Sequence, residues 1–145
     1  LMMITCINVK FDKEREINMK DLELNSNCVN EKIKAEILSA EKMREIGFTD
    51  CAKNIWYFCR GIKFPNTKRY KGFDISFSVS IPKDGTDISI DVLDEDFCQP
   101  YDYQKMLENN PEFEPCVIVK GQVEEWMSYL QDKGILSGHV YGEYI

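Results

Sequence analysis

Clustered carboxylates are the first chemistry this sequence offers. Asp91, Asp94, Glu95 and Asp96 fall within the short run Asp91-Val92-Leu93-Asp94-Glu95-Asp96. Oxygen ligands at that density could hold Mg²⁺ or Ca²⁺, or serve as a general acid and base. Strand geometry works against a single ion, because Asp91 and Glu95 would stand roughly 13 Å apart at about 3.3 Å per residue. The run lacks the D-x-D-x-D-G loop and distal glutamate of an EF-hand. A metal site on Asp91, Asp94 and Asp96 therefore requires the strand to end and bend near Asp94. A small divalent-metal-dependent hydrolase or nuclease is the alternative reading.

The acids run straight into Phe97-Cys98-Gln99-Pro100-Tyr101-Asp102-Tyr103. Tyr101 and Tyr103 beside Asp94, Glu95 and Asp96 would make one surface both acidic and aromatic. Such a surface suits a basic protein partner, since tyrosine supplies contact area at low entropic cost. The preferred expectation is thus a non-enzymatic interaction module, in the manner of an inhibitor, an immunity-type protein or an adaptor. Its partner would be a protein with a basic face.

Other chemistry-bearing residues point nowhere in particular. His139 is the only histidine, and Cys6, Cys28, Cys51, Cys59, Cys98 and Cys116 are scattered with no CxxC. Structural zinc needs clustered soft ligands, and a chain with an adequate apolar core does not need a disulfide framework. Reduced thiols and a cytoplasmic location follow as expectations. No cysteine sits in a nucleophile context near His139, so no catalytic residue and no cofactor is assigned. Neither G-x-x-x-x-G-K-[ST] nor G-x-G-x-x-G occurs. The segment from Phe64 to Gly72 reads as a solvated basic loop, or as a finger that docks on an acidic surface, the chain's own included. In Trp56-Tyr57-Phe58-Cys59-Arg60, strand alternation would bury Trp56 and Phe58 and turn Tyr57 and Cys59 outwards.

Charge is unevenly laid out. Residues 53–83 hold seven bases (Lys53, Arg60, Lys63, Lys68, Arg69, Lys71, Lys83) and one acid, Asp74. Residues 84–114 hold ten acids and one base, Lys105, within a chain whose net charge is −7. An acidic balance opposes non-specific attraction to phosphate, which argues against nucleic acid as a partner. The two stretches meet at Lys83-Asp84, so basic strands should lie beside acidic ones and offset much of their charge.

These groups need elements to position them, and one hairpin is plainly written. Phe73, Ile75, Phe77, Val79 and Ile81 alternate with polar residues, and Ile88, Ile90 and Val92 do so again after Asp84-Gly85. A period of two flanking an Asp-Gly turn marks a β-hairpin, at about 73–93 here. Matching faces sets Ile81 against Ile88, Val79 against Ile90 and Phe77 against Val92, because a slip of one residue would oppose apolar to polar throughout. The same register sets Asp74 against Glu95, a repulsive pair unless pairing stops or a cation from residues 60–71 intervenes.

Helical periods mark the rest. Val119, Val123, Trp126 and Leu130 share one face of an amphipathic helix at about 119–133, which should end at Gly134-Ile135. Ser39 should cap a short helix carrying Met43 and Ile46 and ending at Gly47, and Asp102 another that stops before Asn110-Pro111. Strands are expected at Met3–Lys10, at Ile55–Phe64 and, less regularly, at His139–Tyr144, while Ile33–Leu38 fits either a strand or an extension of the Ser39 helix. The mixture implies an α+β fold, an antiparallel sheet packed against helices. With 145 residues, 43% of them apolar, the chain makes one globular domain, 1–145. No apolar run approaches the roughly 20 residues of a membrane helix, and no secretion signal is expected.

Overall fold

The computed structural model describes residues 25–26, 33–52, 54–85 and 87–140. The expected strand at Met3–Lys10 lies outside them, as does most of His139–Tyr144. The fold is α+β. In chain order the strands are β1 (Asn25–Ser26), β2 (Lys34–Ala35), β3 (Thr49–Ala52), β4 (Ile55–Gly61), β5 (Ile75–Pro82), β6 (Ser89–Asp94), β7 (Gln99–Pro100) and β8 (Leu136–Ser137). The helices are α1 (Ala40–Ile46), α2 (Tyr103–Asn109) and α3 (Glu114–Asp132), with a 3-10 turn at Lys68–Tyr70. The main sheet runs β1-β6-β5-β4-β3, with β7 also on β6, and every pairing is antiparallel except β1 with β6. Strands β2 and β8 make a separate antiparallel pair. No helix among the described residues is long and apolar enough to cross a membrane.

The hairpin β5–β6 adopts the register its alternation dictates, with Phe77 opposite Val92 and Val79 opposite Ile90. Trp56 and Phe58 on β4 join the same face, opposite Ile81 and Val79. That face is buried against α3, whose inward stripe is Cys116, Val119, Val123, Met127 and Leu130. The stripe is turned slightly from the expected one: Met127 is fully buried and Trp126 only partly. Trp126 instead packs edge-on to Phe58 at 5.6 Å and to Tyr129 at 5.3 Å. The helix also starts earlier than its apolar period, at Glu114, with Pro115 in a first turn where a missing N–H costs nothing.

Local caps follow the sequence. Ser39 Oγ accepts from Lys42 N at 3.2 Å, and α1 ends at Gly47, whose φ of 124° relieves the strain an L side chain would feel. Of the two expectations for Ile33–Leu38, the strand holds over Lys34–Ala35, which pairs with β8, and Glu36 N adds a bond to Ile135 O at 2.8 Å, while α1 begins only at Ala40. Helix α3 closes through Gly134, with Ile135 N on Leu130 O at 3.0 Å and Ile135 fully buried. Asp102 precedes α2 but makes no side-chain capping bond. Strand β4 stops at Gly61, short of Phe64.

Candidate functional site

Strands β6 and β7 are joined by Glu95-Asp96-Phe97-Cys98, closed by the pairing of Asp94 with Gln99. The turn is fixed from within. Asp94 Oδ1 accepts from Asp96 N at 3.1 Å, and Cys98 takes a positive φ of 52°. It is also fixed from the sheet, since Glu95 N donates to Asp74 O at 2.8 Å. The ladder itself ends at Ile75 opposite Asp94, so pairing stops short of Asp74 and Glu95, with this single backbone bond beyond it. Among the described residues no cation pairs with Glu95; Ser76 Oγ donates to its carboxylate, which folds back along the sheet. A neutral donor can satisfy a carboxylate without a second charge.

The turn presents its groups unequally. Glu95 and Asp96 are exposed, Asp94 is half-buried, and Phe97 is 71% exposed, the most exposed of the large apolar side chains described. The two tyrosines expected beside them are placed otherwise. Tyr103 is fully buried in the core and leaves the surface altogether. Tyr101 is half-buried and tied inward, its hydroxyl 3.6 Å from Cys116 Sγ, which in turn lies 3.5 Å from Met106 Sδ. Burial holds the Tyr101 hydroxyl above the usual tyrosine range, Cys116 and Asp94 adding to the effect, and burial raises the Cys116 thiol as well. Phe97 is thus the aromatic group that accompanies the acids, in place of the two tyrosines expected from the sequence. Its position inside the closed turn, where neither face of a strand can bury it, is the signal that marks it.

The carboxylates do not converge. By strand alternation Asp91 and Asp94 lie on opposite faces of β6. Asp91 Oδ2 accepts from Ser89 Oγ at 2.9 Å on the sheet's polar face. Among the described residues no three His, Cys, Asp or Glu side chains are placed to share a metal ion. That polar face also holds Tyr57 and Cys59, opposite Ser80 and Ser78. Burial, with Cys59 beside it, pushes the Tyr57 hydroxyl up to about 12. Arg60 turns the other way: its guanidinium lies 4.2 Å from the Phe58 ring centre and 5.2 Å from that of Trp126.

Next to the acidic turn lies the basic loop. Phe73 precedes Asp74, and its ring meets Phe64 at 5.2 Å and Tyr70 at 5.5 Å. This aromatic knot forms one wall of an open cavity of about 610 Å³ whose rim includes Lys68 and Lys71. Arg69 does dock on the chain's own acids, pairing with Glu114 at 2.7 Å. Lys83 pairs with Asp50 on β3 at 2.8 Å. Of the expected offset between the two charged stretches, Arg69–Glu114 is one direct ion pair that joins them. Lys63, Lys68 and Lys71 have no acidic partner among the described residues. Tyr70 Oη, beside the Arg69–Glu114 pair, is buried and meets no partner at full hydrogen-bond geometry among the described residues.

Two residues of very different sequence position form a buried polar contact that periodicity gave no hint of. Glu124, midway along α3, and His139, beyond β8, meet in the interior. Gln131 holds the backbone of His139 from both sides, accepting from its N at 3.0 Å and donating to its O at 3.4 Å.

No protein-family model matches this chain. No curated protein matches it either. Among solved structures it is similar to a DUF1831 family protein from Lactobacillus plantarum, with a TM-score of 0.56 at 12% identity, over 79% of this chain and 97% of that one. At that identity the likeness establishes the α+β fold and no more.

Proposed function

We propose that this protein is a non-enzymatic interaction module of the cytoplasm that offers the β6–β7 turn to a basic protein surface, as an inhibitor, immunity-type protein or adaptor would. The supporting observation is Phe97, 71% exposed among the carboxylates of Asp94, Glu95 and Asp96. An aromatic anchor ringed by charge gives both halves of recognition: apolar burial supplies affinity, and the acids steer a cationic partner and reject an anionic one. A turn held by ladder and Asx bonds loses little entropy on docking. Among the described residues Cys59, Cys98 and Cys116 are free thiols, in keeping with a reducing compartment. A metal-dependent hydrolase or nuclease built on Asp91, Asp94 and Asp96 has less support, because it needs carboxylates that converge.

The test is selection from a phage-displayed random peptide library on immobilised protein. The wild type should enrich peptides that combine Lys or Arg with an apolar residue. A variant carrying Asp96→Lys and Phe97→Ala should lose them, while its circular dichroism stays unchanged. Equal enrichment by both proteins would overturn the reading.

A further inference from the structure

The partner chemistry that the acidic turn calls for is present on this chain itself. A hole for an aromatic ring, edged by cations that lack acids of their own, describes the cavity bounded by Phe64, Lys68, Tyr70, Lys71 and Phe73. Lys68 and Lys71 are exposed and unpaired among the described residues. Phe73 leaves 41% of its surface uncovered beside them. The two features share one end of the sheet, because Asp74 follows Phe73 and carries the backbone bond to Glu95 at the base of the turn. They do not satisfy one another within a molecule, since Phe97 stays exposed and the lysines stay free.

We propose that the turn's partner is a second copy of this chain, in a twofold dimer where Glu95-Asp96-Phe97 of each protomer enters the basic aromatic cavity of the other. This rests on the reading of the turn as a docking element and names its occupant. Adjacent complementary patches are what an isologous contact requires: one rotation brings both prongs to both sockets, so each favourable contact is made twice. Two such contacts are small beside the about 1,200–2,000 Å² of a standard stable interface. The dimer is therefore weak, formed at micromolar concentration and sensitive to salt, because exposed charges drive it.

Sedimentation equilibrium of the full chain tests this, at about 50 mM and about 500 mM salt, a range over which exposed pairs become screened. The wild type should associate reversibly, at least tenfold more weakly in the higher salt. Glu95→Lys with Asp96→Lys should give a monomer, as should Lys68→Glu with Lys71→Glu, each with native circular dichroism. Mixed in equal amounts, the two variants should form a one-to-one dimer, since the reversed prong then meets the reversed socket in one contact and the unaltered prong meets the unaltered socket in the other. A wild type that stays monomeric at low salt, or variants that fail to pair when mixed, would overturn the dimer. So would a monomer whose Lys68 and Lys71 resonances shift on adding inorganic phosphate, which makes the cavity an anion site. A monomer that still selects cationic peptides through its turn removes the dimer and leaves the docking reading intact, whereas loss of both removes both.

Discussion

His139 Nε2 lies 3.1 Å from Glu124 Oε1, with 1% and 4% of their side chains exposed. Removing either partner takes a polar contact from the other in a medium that solvates it poorly. Glu124→Ala and His139→Ala should each cost about 3 kcal/mol in urea unfolding. The double variant should cost less than their sum by about 1 kcal/mol or more. Two small, additive losses would show that the pair holds nothing in place.

Two glycines should respond in opposite directions to alanine. A Cβ on Gly47, which has φ 124°, would run into the Arg60 guanidinium that covers Phe58. Gly47→Ala should therefore destabilise by more than about 1 kcal/mol. Gly121 sits inside α3 with open space around it, and Gly121→Ala should stabilise by about 0.5–1 kcal/mol. Thermal unfolding of the two variants side by side decides the matter, and a loss at Gly121 would contradict the packing described.

Among the described residues Tyr70 Oη is buried and meets no acceptor at full hydrogen-bond geometry, although the Arg69–Glu114 pair lies beside it. An unmet hydroxyl in the interior costs its desolvation and returns nothing. Tyr70→Phe keeps the ring stacked on Phe64 and removes that cost, so its unfolding free energy should equal the wild type's or exceed it by about 1 kcal/mol. A drop of that size would mean that the hydroxyl has found an acceptor.

Alkali should unfold the protein through its tyrosines. Tyr57 is raised to about 12 and Tyr101 is raised as well, both mainly by burial. In the unfolded chain these phenols ionise near pH 10. Because the folded values are the higher ones, the associated stability is complete below about pH 10 and is lost as pH climbs towards 12. Tyr101→Phe should make that decline shallower. Parallel records of tyrosinate absorbance and circular dichroism across the range test it, and an unchanged slope would count against the buried hydroxyl.

The sequence disclosed those features whose cause is local. A period of two admits one register, so the β5–β6 pairing and the Asp74–Glu95 juxtaposition could be read residue by residue. Ser39 and Gly47 announced both ends of α1 through capping chemistry. What escaped depends on groups distant along the chain. Whether Tyr103 faces water or core is decided by whatever packs on α2, and a tyrosine's own type permits either. Glu124 borders the apolar stripe of α3 and reads as surface until His139, held by Gln131, covers it. The stripe itself shifted from Trp126 to Met127 because an indole can pack edge-on beside Phe58 while part of it stays at the surface. Phe97 was hidden by the larger count of tyrosines just after it.

The outer side of β6 is shared by two short neighbours, β1 at Ser89 and Ile90 and β7 at Leu93 and Asp94. In the gap between them Tyr101 N bonds to Val92 O at 2.9 Å. An incoming extended peptide would have to displace two independent segments to find a continuous row of free amides and carbonyls. This border of the sheet is thereby sealed against strand addition and the fibrous self-assembly it can seed. Growth of that kind would have to begin at the opposite border, along β3, whose register on β4 is interrupted between Thr49 and Ala52.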